Sequence, residues 1–121
     1  MAGISFSERN PEIWIVAGWA FRSVLSDVLA RFPDDSEIVQ KLDEAGALGF
    51  LHVEFLEQPL AERVTRAIRE VASGVLAGTI RPQIAGRFDE GTLVEYRKGL
   101  RMLLDAIPAV PEPAIARPRA S

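Results

Sequence analysis

Between Pro59 and Gly78 the chain sets Leu60, Val64, Ala67, Ile68, Val71, Val75 and Leu76 at three- and four-residue steps, which makes one face of a helix apolar. Pro59 suits a first helical position, where no N–H is needed, and Gly78 suits the left-handed residue that ends a helix. An amphipathic helix of about five turns draws its stability from packing, so the rest of the chain must cover that stripe. Most of it reads as further helix.

Asn10 followed by Pro11 predicts a helix opening. Trp14, Ala17, Phe21, Val24, Val28 and Phe32 then follow helical steps up to Pro33, which forbids continuation. The first part, IWIVAGWAF, is apolar nearly all round, as for a helix buried centrally or against a second chain. Asp34 and Glu37 form a capping-box pattern for a second helix, whose stripe is Ile38, Leu42 and Ala45 and whose stop is Gly46 or Gly49. The stretch GFLHVEFL fits both strand alternation and a helical turn, and the pattern leaves the two open, with a short irregular helix the preferred reading. After a loop over 79–91, the Thr92 to Glu95 pair opens a last helix with Leu93, Tyr96, Leu100, Leu103 or Leu104, and Ile107 inward, stopped by Pro108. Gly18, Gly74 and Gly99, inside these helices, read as points of close packing.

These readings add up to an all-α fold, an irregular four-helix bundle of one domain over 10–107. An extended lead-in over 1–9 has Ile4 and Phe6 on one side if it is a strand, and the proline-rich tail over 108–121 is expected to be flexible. A chain of 121 residues can bury a core without staples, and with no cysteine it has no disulfides, thiolate metal sites or cysteine nucleophile. No apolar run approaches the roughly 18–20 residues that span a bilayer, and the start lacks a secretory pattern, so a cytoplasmic protein is expected.

Charge divides the functions further. Residues 1–60 hold four basic and ten acidic side chains, and residues 61–121 hold ten and seven, so the halves differ in sign. An overall charge of −3 with no basic stripe disfavours direct nucleic-acid binding, which depends on neutralising phosphates. The glycine-rich loops and nucleophile motifs of nucleotide-binding proteins, hydrolases and metalloproteases are missing, and no cofactor is implied.

Few side chains remain as candidates. His52 is the single histidine, and a metal reading would need it to converge with Glu54 and Glu57, which neither helix nor strand geometry arranges. Asp34, Asp35, Glu37, Asp43 and Glu44 fall at a helix start and on its polar face, without the burial that general acid catalysis requires; they suit an acidic contact surface. Arg63, Arg66 and Arg69, like Arg97, Lys98 and Arg101, are interleaved with glutamates and read as solvated faces. Trp14 and Trp19 fall about 140° apart on a helix, so one of them can reach outward as an interface anchor. No catalytic, cofactor or metal residue is assigned.

The run from PDDSEIVQKLDEAGALG through VEFLEQPLAERVTRAIREVASGVLAGT to LVEYRKGLRMLLDAI resembles the small α-helical immunity proteins of bacterial polymorphic and contact-dependent toxin systems. The likeness covers residues 10–107 and rests on helix order, acidity and size, with no motif from which a residue's role can be carried over. It implies a non-catalytic protein that neutralises a cognate toxin by covering its active surface. The acidic cluster, with Trp14 or Trp19, is then the expected partner-binding surface. Two other readings stand beside it: a structural or regulatory homodimer through the apolar start of the first helix, and a small-molecule binder with a pocket among Trp14, Trp19, His52 and Tyr96.

Overall fold

The computed structural model of the protein describes residues 2–6, 13–82 and 89–107. Its elements in chain order are β1 (Ala2–Ser5), β2 (Ile13–Val16), α1 (Gly18–Leu29), α2 (Ser36–Leu48), β3 (Phe50–His52), a 3₁₀ turn (Val53–Phe55), α3 (Gln58–Ala77) and α4 (Glu90–Ala106). The fold is therefore not all-α: four helices accompany a three-stranded mixed sheet of order β2-β1-β3. The expected helix opening at Asn10–Pro11 and the expected flexible tail over 108–121 lie outside the described residues.

The departure from a pure bundle is local and has a physical cause. Ile13, Ile15 and Val16 are β-branched, lose χ1 freedom in a helix and favour a pleated surface. The run IWIVAGWAF is apolar throughout because two elements meet in it: β2 ends at Val16 and α1 begins at Gly18. A dimer packed on an apolar start of helix one loses its premise, since that segment is a strand. The stretch after Gly49 resolves into both of its competing patterns, first β3 and then the 3₁₀ turn.

β1 pairs antiparallel with β2, matching Gly3 to Ile15 and Ile4 to Trp14, and parallel with β3, matching Ile4 to Leu51 and Ser5 to His52. Side chains alternate across a sheet, so Ile4, Trp14 and Leu51 share the inner face, where all three are buried under the helices. Gly3, Ser5, Ile15, Phe50 and His52 share the outer face. At Gly3 the backbone of β2 comes so close that a Cβ would run into the Trp14 carbonyl oxygen.

The helices close over the inner face. The stripe Leu60, Val64, Ala67, Ile68, Val71 and Val75 of α3 is wholly buried against α1 and α4, while α2 packs on α1 and β3. Gly49 ends α2 in the left-handed conformation, φ 86°, and its carbonyl accepts the Gly3 N–H at 3.0 Å, so one residue stops the helix and starts the sheet. The capping residues differ from those of the pattern, by one residue downstream for α2 and by three upstream for α4. Asp35, not Asp34, caps α2, and Asp89 caps α4 by accepting from the Thr92 N–H at 2.8 Å.

Candidate partner-binding surface

The acidic candidates gather where α1 turns into α2. Pro33 cannot extend α1, and the turn is closed by Phe32 N–H donating to Leu29 O at 2.9 Å and Asp35 N–H donating to Phe32 O at 3.3 Å. This turn, the first residues of α2 and Arg63 of α3 line an open groove of about 550 Å³, walled by Arg31, Phe32, Asp34, Asp35, Glu37 and Arg63 among others.

Asp35 is the anchored member. Its carboxylate accepts the Ile38 N–H at 3.1 Å and meets Arg63 Nη1 at 2.9 Å. The Ile38 N–H chiefly, and Arg63 in addition, hold its carboxyl below the usual aspartate range, against an opposing desolvation. The Arg63 guanidinium also lies 5.4 Å from the centroid of the Phe32 ring. Arg31 is turned away to Glu70 at 2.6 Å.

The other carboxylates are left to solvent. Asp34, Glu37, Asp43 and Glu44 are exposed and form no ion pair among the described residues. Glu37 and Glu44, seven residues apart, fall within about 20° of each other around α2, and Asp43 lies on its other flank. The structure thus brings Asp34, Asp35 and Glu37 to one groove and spreads Asp43 and Glu44 along the helix leading from it. Lys41 is the single basic residue of α2.

Neither tryptophan joins this surface. Trp14 is 3% exposed, and its indole Nε1–H donates to Gly99 O at 2.7 Å, fixing β2 to α4. Trp19, partly buried, packs at 5.8 Å from the Tyr96 ring. Both therefore belong to the sheet and α4 side of the core, and the pocket suggested among Trp14, Trp19, His52 and Tyr96 is not assembled, because His52 is on the opposite face of the sheet. Burial pushes the Tyr96 hydroxyl up to about 12; Ser23 offsets part of the rise and the Asp27 carboxylate adds to it.

The chain matches no family model, no curated protein and no solved structure.

Sequence reading missed one constellation, because it is created by the β1–β3 register. Ser5 Oγ lies 2.9 Å from His52 Nδ1 and 2.9 Å from each oxygen of Glu54. In a hydrolytic triad the imidazole stands between hydroxyl and carboxylate, so that it can take the hydroxyl proton. Here the hydroxyl stands between the other two, gives its proton to the carboxylate and faces the imidazole. The buried Ser5 is thereby satisfied, and the arrangement clasps the end of β3 to β1. His52 itself is flanked by the rings of Phe50 at 5.7 Å and Phe55 at 5.2 Å. No group of three or more His, Cys, Asp or Glu side chains placed to hold a metal occurs among the described residues, and no described helix is long and apolar enough to cross a membrane.

Proposed function

We propose that this chain acts by docking another protein, as a non-catalytic immunity or inhibitor protein that covers the active surface of a cognate bacterial toxin in the cytoplasm. The observation that carries the reading is the distribution of charge around α2. Asp35 alone is neutralised internally, by Arg63, while Asp34, Glu37, Asp43 and Glu44 face outward without a cation among the described residues. Carboxylates held by a folded helix and left unpaired attract a basic surface, speeding encounter and setting orientation. A toxin whose cleft binds phosphate groups presents such a surface.

Charge reversal at the four outward positions tests this. Asp34→Lys, Glu37→Lys, Asp43→Lys and Glu44→Lys together leave the Asp35 cap intact, so the fold is retained. Against a cognate toxin, the variant is expected to associate on the order of tenfold more slowly at low salt and to lose its salt dependence. Its co-expression should no longer protect growth. Unchanged affinity and salt dependence would show that the acidic arc is not the contact surface.

A further inference from the structure

Among the described strands, β2 lies at one edge of the sheet. Its sequence, IWIV, has no lysine, proline or other charge to discourage a second strand. The main chain at its middle is also unspent. Gly3 donates its N–H to Gly49 O at 3.0 Å, so Gly3 directs its main-chain groups towards β3. Hydrogen-bonded and non-bonded pairs alternate in an antiparallel ladder, which makes Gly3–Ile15 a non-bonded pair and turns the Ile15 N–H and C=O outward from the sheet. Neither group bonds to a turn, loop or cap among the described residues, and the Ile15 side chain is 46% exposed.

The flank of α4 continues this edge. Gly99 lies against Trp14 and Val16, and Tyr96, Leu100 and Leu103 point into the core. At about 100° per residue, Glu95 and Met102 fall some 40–60° from Gly99 on the side away from Tyr96 and Leu100, on the exposed flank of α4 next to the face that meets β2. Met102 is 62% exposed. Glu95 and Lys98, both largely exposed and 3.3 Å apart, place a negative and a positive charge on the same flank.

We propose that this edge is the interface of a two-fold symmetric homodimer in which two copies pair their β2 strands antiparallel about Ile15. An outward N–H and C=O on a single residue is what a two-fold axis requires, since each copy's Ile15 then donates to and accepts from the other's. The axis also sets α4 beside its counterpart in the opposite direction, apolar Met102 to apolar flank and Glu95 towards the second copy's lysine. An uncharged strand beside a flank of both signs fits its own copy without like-charge repulsion. The row Phe50, Gly3, Ile15 then runs unbroken across the joined outer faces. This inference is independent of the acidic surface of α2.

Sedimentation velocity on the full chain from about 1 to 100 μM, a range that brackets a micromolar dissociation constant, should show a dimer that dissociates on dilution. Ile15→Lys, a surface change that installs the missing guard, is expected to raise the dissociation constant at least about tenfold with an unaltered circular dichroism spectrum. A second measurement does not depend on that variant. The chain has no cysteine, and a bonded antiparallel pair has a Cα spacing of about 5.5 Å, inside the disulfide range. Ile15→Cys should therefore give a disulfide-linked dimer under mild oxidation, and Ala47→Cys, on the exposed side of α2, should not. A monomer at every concentration, with equal slow oxidation of both cysteine variants, overturns the proposal. So does a dimer indifferent to both changes at residue 15, and so does a monomer that instead binds an added strand-forming peptide.

Discussion

Trp14 is the residue whose replacement most directly separates a core role from a contact role. In Trp14→Phe the indole N–H that reaches Gly99 O at 2.7 Å is lost while an aromatic ring remains under the sheet. A buried hydrogen bond of this kind contributes about 1 kcal/mol net. Gly99 lies inside α4, so its carbonyl keeps the N–H four residues on and is not orphaned, which holds the loss near that value. The smaller ring adds roughly 1 kcal/mol in lost transfer and cavity terms, because a core at crystal-like density collapses only in part. The expected destabilisation is about 2 kcal/mol, against about 3–5 for Trp14→Ala. Urea unfolding followed through the remaining Trp19 should show a lower midpoint with an unchanged slope, and partner affinity of the folded variant should be that of the parent. A loss under about 0.5 kcal/mol accompanied by weakened partner binding would refute the assignment of Trp14 to the core.

Other substitutions probe the remaining joints. Gly3→Ala drives a Cβ onto the Trp14 carbonyl and within 3.1 Å of the Phe50 ring, and is expected to cost about 1–3 kcal/mol in denaturant unfolding, the range of overpacked sites. Tyr96 is the only tyrosine, so its phenolate absorbance reports one group; in the folded protein it should titrate near 12 rather than 10. Its raised value means that the unfolded chain releases the proton first, so stability falls as pH rises above about 10 and Tyr96→Phe abolishes that component. Conversely, the carboxyl of Asp35 is lowered by the Ile38 N–H and by Arg63, so its contribution is present above the ordinary aspartate range and is lost as pH falls through its own lower value. Asp35→Asn should flatten that part of an acid-unfolding curve, which thermal melts at successive pH values will measure.

The helices were legible to the extent that their stripes are periodic. α3, whose apolar residues keep one face for five turns, begins at Gln58 beside the proline and ends at Gly78 as the pattern requires. The sheet was not legible, and particular residues show why. Trp14 satisfies the helical step to Phe21 and Val24 and also the strand step to Val16, because a wholly apolar run has no polar phase to reveal its period. β3 is three residues long, shorter than any window in which alternation can be distinguished from a turn. Its partner lies 47 residues away, and nothing local encodes that Ser5 will meet His52.

The same distinction governs the candidate surface. Asp34, Asp35 and Glu37 are close in sequence, so their gathering at the groove follows from one turn and one cap, and the pattern found them. What it did not contain was their inequality. Arg63 arrives from a different helix and neutralises Asp35, which turns one member of the cluster into part of the scaffold and leaves its neighbours as outward charge. Trp14 shows the converse: a residue type typical of interface anchors is drawn inward, where the Gly99 carbonyl, 85 residues on, accepts its indole N–H. A contact surface is drawn from what the tertiary fold leaves unpaired, and among the described residues the outward carboxylates of α2 and the outward main chain of Ile15 are two such features. The two proposed contacts differ in kind, since the first would select for charge and the second for a strand, so a change at one leaves the other separately testable.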